Sequence, residues 1–420
     1  MKNERVIAVD VLRGMTVLLM IVVNNPGNWN AVYAPLLHAK WHGCTPTDLV
    51  FPTFIFVLGI AIPLALPNKI WNTATFIKIV TRSIRIICLG LFLNFFNKIS
   101  ILSDNEIILL FIRLLITIIV GYALLGNFRP QLKLTLAILL LTIFLFLAYS
   151  NSLNFNDVRL PGVLQRIGIV YFFASLIYLT TTFKQQITIV ITILVGYWAL
   201  MTFVPVPFVG LANYNEGTNI ASWLDNMLLQ GHMYPVTKTW DPEGILTTLP
   251  AIATALIGII TSALLLAKEK KIYNMLIWAG LLIGAGLLWS FYFPLNKALW
   301  TSSYVLYTSG IALLILTIIH YLIEVKGLKK SFYFFLIWGV NPMIVFFLSG
   351  IIPRALGMIT VVNPTIQSQN IGVLQYCYQQ GLVPYFTYEK NASLTYAIIF
   401  VIFWSALLWF FAVKKIFIKV

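Results

Sequence analysis

Long apolar runs, each long enough to cross the ~30 Å hydrocarbon core of a bilayer, alternate along this chain with short polar turns. Twelve can be read, at about 6–25, 48–66, 75–96, 106–125, 132–149, 162–181, 186–204, 246–267, 273–291, 302–323, 332–352 and 394–413. The ends of the fourth and fifth are the least sharply marked, because Arg113 lies in one and Gly126-Asn127-Phe128-Arg129-Pro130 divides them. No period-two alternation of the kind a β-barrel needs is present. The pattern predicts an all-α polytopic membrane protein, a bundle of about 12 transmembrane helices forming a single domain over residues 1–420. No small-residue cleavage site follows the first run, so it is expected to remain as a helix rather than be removed as a signal peptide.

Composition strengthens this picture and charge orients it. The chain is 60% hydrophobic and 10% charged, far from the ~25% charged residues of soluble domains. Its net charge of +15 would suit nucleic acid if it were clustered, but it follows the loops instead. With the N-terminus cytoplasmic, eighteen Lys and Arg fall on the inner side, among them Lys2, Arg5, Lys268 and Lys419. Eight fall on the outer side, and Arg13 and Arg113 lie within spans. That is a positive-inside distribution; it places both termini in the cytoplasm and excludes a nucleic-acid partner. The long polar loops, 26–47, 150–161, 205–245, 292–301 and 353–393, then share the outer face. Three scattered cysteines, Cys44, Cys88 and Cys377, make neither a disulfide framework nor a zinc site.

Against so apolar a background, polar groups near the membrane boundary call for a use. Asp10 and Arg13 are three apart on the first helix and can pair; either they fix that helix or they hold an anion. Asn24 lies near the outer end of the same helix, where its amide needs a partner and could donate to a developing oxyanion. The stretch His38-Ala39-Lys40-Trp41-His42-Gly43-Cys44-Thr45-Pro46-Thr47-Asp48 then leads into the second helix. Asp48 suits a helix N-terminus, and it could equally orient His38 as a usable base. His42, four residues from His38, suggests a metal pair, but no third ligand is near and no metal is expected. Three further turns belong to the same face: Leu160-Pro161-Gly162-Val163-Leu164-Gln165-Arg166, Trp240-Asp241-Pro242-Glu243-Gly244, and Pro294-Leu295-Asn296-Lys297-Ala298-Leu299-Trp300. Each can be a turn before a helix. Together, their carboxylates, amides and Trp faces suit a cationic, hydroxylated acceptor such as an amino sugar.

Taken in order, these motifs resemble the lysosomal heparan-α-glucosaminide N-acetyltransferase family and its bacterial relatives. The matching residues are Val9-Asp10-x-x-Arg13-Gly14, Asn24, His38-x-x-Trp41-x-Gly43-x-Thr45-x-x-Asp48-Leu49-Val50-Phe51-Pro52, and Pro161-Gly162-Val163-Leu164-Gln165-Arg166. They continue with Asp241-Pro242-Glu243-Gly244-Ile245-Leu246, Pro294-x-Asn296-Lys297-x-Leu299-Trp300-x-x-Ser303-Tyr304-Val305, Val325-Lys326-Gly327-Leu328 and Lys414-Lys415-Ile416-Phe417. The resemblance implies an enzyme that moves acetyl from cytoplasmic acetyl-CoA to the amine of a glucosamine-type sugar on the outer face. It places the family's active histidine on His38 and its catalytic asparagine on Asn24. Two departures from the lysosomal enzyme are expected, an added helix pair at about 106–149 and no N-terminal luminal domain.

The expected chemistry has His38 as base, Asp48 orienting it and Asn24 as oxyanion donor. Arg13, Arg82, Arg85, Gln165 and Arg166 are candidates to hold CoA, and Trp41, Asp241, Glu243, Asn296, Lys297 and Trp300 to hold the acceptor. Direct transfer is favoured over a ping-pong route through acetyl-His38, since a thioester is already activated. The expected partners are acetyl-CoA, an amino-sugar acceptor and the lipid bilayer, with a homodimer left open; the expected location is a bacterial inner membrane. Rival readings are an amino-sugar transporter or sensor, and an O-acetyltransferase of an envelope glycan.

Overall fold

The computed structural model describes residues 6–100, 105–150, 155–267, 270–363 and 370–418. Lys2, Arg5, Lys268 and Lys419 of the basic set lie outside the described residues. The chain forms helices α1 (Ile7–Asn24), α2 (Val50–Ala65), α3 (Thr73–Phe95), α4 (Glu106–Leu125), α5 (Pro130–Tyr149), α6 (Val163–Thr180) and α7 (Phe183–Phe203). A short α8 (Ile220–Leu229) lies in the loop before α9 (Thr248–Leu266), α10 (Lys271–Ser290) and α11 (Ser302–His320). Then come α12 (Tyr333–Val340), α13 (Pro342–Gly357), the hairpin strands β1 (Thr360–Val362) and β2 (Asn370–Gly372), α14 (Val373–Gly381) and α15 (Glu389–Val413).

Ten of the described helices are long and apolar enough to span a bilayer, or eleven if α12 and α13 count as one bent span. This is a multi-pass membrane protein. α3 is as long as its neighbours but carries Lys78, Arg82 and Arg85, and it is not among the ten. The run at 332–352, expected as one helix, is broken: α12 and α13 meet at 75°. Pro342 at the first position of α13 disfavours helical geometry for the residue before it, and Asn341 accordingly sits at φ −123°, ψ 48°. Its side chain ties the break to the chain's end, donating to Ile416 O at 3.0 Å and accepting from Ile418 N at 2.9 Å.

In lipid, helices associate through close packing more than through hydrophobic transfer, which favours small residues at crossings. A Cβ on Gly59 of α2 would collide with the carbonyl of Ala255 on α9, and one on Gly258 with the carbonyl of Phe56. Gly14 of α1 and Gly339 of α12 interlock in the same reciprocal way, against Phe335 O and Asp10 O. α1, α2 and α9 are thereby the buried centre, whereas α4, α5 and α10 bury few residues. The C-terminal end of α1 and the entries to α2, α6 and α9, with the loops around His38, Arg159, Trp240 and Lys297, line a cavity of about 390 Å³.

Candidate active site

The site is built from the way the chain enters α2. Pro46–Leu49 form a single 3-10 turn running straight into that helix. Asp48, third in the turn, folds its carboxylate back on the preceding loop. Its Oδ2 accepts from Ala39 N, Thr45 N and Thr45 Oγ1, each at 3.0 Å. Its Oδ1 lies 2.6 Å from His38 Nδ1. The carboxylate is 1% exposed and the imidazole 50% exposed, so a buried acid holds a base that faces the cavity. Tyr304 Oη donates to Asp48 O at 2.5 Å and pins this turn to α11.

An ionised carboxylate only accepts hydrogen bonds. The network therefore assigns the proton of His38 to Nδ1 and leaves the Nε2 lone pair free, the arrangement a general base requires. Asn24, at the end of α1, lines the same cavity.

Lys297 completes the cluster. Its Nζ is 3.1 Å from His38 Nδ1, 3.2 Å from His38 Nε2 and 3.8 Å from Asp48 Oδ1. An atom nearly equidistant from both ring nitrogens lies off the in-plane lone pair of either, so the ammonium rests over the ring face. Burial pushes the Lys297 ammonium below the usual lysine range, against the opposing pull of Asp48 and Glu243. The thiol of Cys44 is pushed up to about 12 by burial and by Asp48, which leaves it protonated and inert.

One wall is an acid–arginine cluster. Arg159 donates Nε and Nη2 to Asp241 at 2.8 and 2.6 Å, and Nη2 also pairs with Glu243. Burial works against both charges of the second pair. Arg159 is nevertheless held above its ordinary range by the two carboxylates, and Glu243 below its own by Arg159, Arg166 and Lys297. Behind them Asp225 accepts from Ile245 N at 2.9 Å and Asp241 N at 3.3 Å; burial raises its carboxyl to about 6. The Arg159 loop is tied down by Asn94, which donates to Arg159 O at 2.7 Å, and by His232, whose backbone oxygen accepts from Leu160 N.

The sequence candidates fall into three groups. Asn24, His38, Trp41, Asp48, Glu243 and Lys297 line the one cavity. Gln165 lines a second chamber of about 290 Å³, which shares Asn24, Arg159, Met20, Val163 and Phe346 with the first. The rest are set back. Trp300 is 1% exposed, with Nε1 donating to Thr254 Oγ1 at 3.0 Å and Arg166 stacked over its ring. Asn296 is buried, its Oδ1 accepting from Leu299 N at 2.8 Å, which shapes the loop that carries Lys297. Asp241 is the buried member of the wall, under Arg159, and Arg166 is buried as well.

Arg13, Arg82 and Arg85 line neither chamber. Arg13 pairs with Asp10 at 2.8 Å and reaches Gly339 O, Arg82 lies over Tyr171, and Arg85 bonds Leu124 O. His42 turns toward Asn296, 3.4 Å away. Sequence reasoning passed over Arg159, Tyr234 and Trp240 as individual wall residues. The signal for Arg159 was an arginine on the same face as Asp241 and Glu243; Trp240 adjoins that acidic turn.

Comparison with known proteins bears on this geometry. Residues 5–206 match a family described as a domain of unknown function (DUF5009). The chain is 27% identical over 401 residues to the human heparan-alpha-glucosaminide N-acetyltransferase, covering 81% of this chain and 52% of the relative. The mouse enzyme of the same name is 26% identical, covering 82% and 53%. The resemblance drawn from the motifs is borne out. The chain spans about half the length of these curated relatives.

Proposed function

We propose that this protein is a transmembrane acetyltransferase that moves acetyl from acetyl-CoA to the amine of a glucosamine-type sugar, with His38 as general base. The observation that carries this reading is the His38–Asp48 pair, 2.6 Å apart, facing a cavity that Asn24 also lines. Nε2 of His38 takes the proton from the attacking amine, and the amide of Asn24 donates to the oxyanion that forms on the thioester carbonyl. The C–S bond then breaks and the thiolate leaves.

The cavity suits this chemistry at both ends. Along α1 and α6 it runs inward past Met20 and Ile167 to Thr16, an apolar slot for a pantetheine arm. Thr16 is three residues from Arg13, about 4.5 Å along the helix, which keeps Arg13 as the candidate to meet the phosphates of CoA. At the other end Trp41, Trp240, Tyr234 and Glu243 offer aromatic faces and a carboxylate to an amino sugar, and the second chamber gives room for the rest of the acceptor. The inner–outer direction of transfer, with both termini cytoplasmic, rests on the distribution of Lys and Arg.

The test is acetyl-CoA consumption by the purified protein with glucosamine, the product identified by mass spectrometry. N-acetylglucosamine should form, with turnover at least about 10²-fold lower in His38→Ala. A folded His38→Ala protein with near-normal turnover refutes the assignment, and an O-acetyl product moves the acceptor to a hydroxyl.

A second reading is amino-sugar transport, to which the break between α12 and α13 is relevant. Transporters of that kind carry broken helices at matching positions in two repeated halves, whereas α12–α13 is a single broken span without a counterpart among the described residues. Uptake of labelled glucosamine into liposomes without acetyl-CoA turnover would support it.

A further inference from the structure

A nucleophile within reach of a base that is itself oriented by a third group is the general signature of an activated acyl acceptor. Lys297, His38 and Asp48 form that series: amine to imidazole at 3.1 and 3.2 Å, imidazole to carboxylate at 2.6 Å. Under the reading above, the incoming sugar amine must come close to the same imidazole while an acetyl thioester lies alongside. Lys297 Nζ is a primary amine already there, on the cavity wall.

We propose that Lys297 is a self-acetylation site, taking acetyl from the bound thioester when no acceptor amine is present; this rests on the acetyl-CoA-dependent reading above. The ammonium first loses a proton to solvent. Turning of its flexible stem moves Nζ from the ring face toward the Nε2 lone pair, and the neutral amine attacks the thioester carbonyl carbon. The N–C bond forms as the C–S bond breaks, with the electron pair leaving on sulfur. One of the two amine protons passes through His38 Nε2 to the thiolate, and the other stays on the amide nitrogen. The products are one amide on Lys297 and one free thiol.

Partial desolvation on the cavity wall makes the first step easier, since a desolvated lysine gives up its proton more readily than a fully solvated one. Unlike an acetyl-imidazole, the amide does not hand its acetyl on. Acetylation also removes the positive charge beside Asp48 and Glu243 and leaves an acyl group over the base. The modification is therefore a dead end that silences the site when donor accumulates without acceptor. Lys40 lines the same cavity and is exposed, but His38 has its short contacts with Lys297, so Lys40 serves as an internal control.

The experiment incubates the purified full-length protein with acetyl-CoA, with and without glucosamine, and follows intact mass, peptide mass and turnover. The expected result is one acid-stable acetyl group per chain on Lys297 in the absence of glucosamine, with turnover lost in proportion. Glucosamine should suppress the labelling, and His38→Gln should slow it by about 10²-fold or more, the contribution of general-base action. Lys297→Arg should show no acetyl at that position and no time-dependent mass gain.

An unmodified Lys297, or labelling no faster there than at Lys40, overturns the inference whether or not glucosamine is acetylated. Labelled Lys297 without N-acetylglucosamine would instead sustain the inference and refute the proposed acceptor. Label that is acid-labile and located on His38 overturns it in favour of the ping-pong route.

Discussion

Asp48→Asn changes one atom of the site and should change which nitrogen of His38 carries its proton. In the native protein Oδ2 accepts from two backbone N–H groups and the Thr45 hydroxyl, while Oδ1 faces His38 Nδ1. Asparagine has one oxygen for these two positions. Placing its NH2 at the Oδ2 position would set donors against Ala39 N and Thr45 N, and each stranded backbone donor costs about 1–3 kcal/mol. The oxygen therefore stays at Oδ2 by about 2 kcal/mol or more, a preference of about thirtyfold. The NH2 then points at Nδ1 and makes it an acceptor, which forces the imidazole proton onto Nε2 and removes the lone pair that takes the amine proton. The fold keeps its contacts while the base is lost. kcat should fall by about 10²–10⁴-fold, the range general-base catalysis supplies, with thermal stability in detergent close to that of the native protein. The assay is steady-state acetyl transfer to glucosamine beside a melting curve. An Asp48→Asn protein that melts normally and keeps kcat within about threefold would refute the tautomer argument.

Other outcomes follow from the same geometry. Asn24→Ala, at a side chain exposed to the cavity, should lower kcat by about 10²–10³-fold with an unchanged melting temperature; a change in KM alone would remove it as oxyanion donor. Arg159→Ala leaves Asp241 and Glu243 buried without their cation and should destabilise the protein by about 3–5 kcal/mol, read as a lowered melting temperature that Arg159→Lys partly restores. Asp225 holds its proton up to about pH 6 in the folded protein, against about 3.9 for a free aspartate. Between those values the folded state binds more protons than the unfolded one, so stability should fall as pH rises through that window, by on the order of 3 kcal/mol. Asp225→Asn should flatten the melting-temperature profile there, and an unchanged slope would contradict the assignment.

What the sequence makes legible here depends on how far apart the partners are along the chain. Asn24, His38 and Asp48 cluster because α1 ends and α2 begins within one loop, and ten residues separate the acid from its base. The contact of Lys297 with His38 spans 259 positions, and no local pattern carries it; residue type suggested only a polar wall. The same limit explains Trp300, Asn296 and Asp241. A turn rich in polar and aromatic residues can be recognised from sequence, but which of its side chains face the cavity depends on packing against α6, α9 and α11. Hydropathy found the run at 332–352 and missed its bend, because apolar character is blind to backbone direction even where Asn341-Pro342 announces it. Arg82 and Arg85 stand on a helix whose neighbours α4 and α6 take up their guanidinium groups, a matter of rotation about the axis of α3.

The interlock of Gly59 and Gly258 has a consequence for the lipid around the protein. α2 begins beside Asp48, which holds His38, and α9 begins just after the Glu243 turn, so these two turns lead into helices whose backbones touch. Helices answer a bilayer of unsuitable thickness by tilting, and a pair locked at the backbone tilts as one body. The spacing between His38 and Glu243 should therefore hold across membranes of different acyl length, while the weakly buried α4, α5 and α10 take up the mismatch.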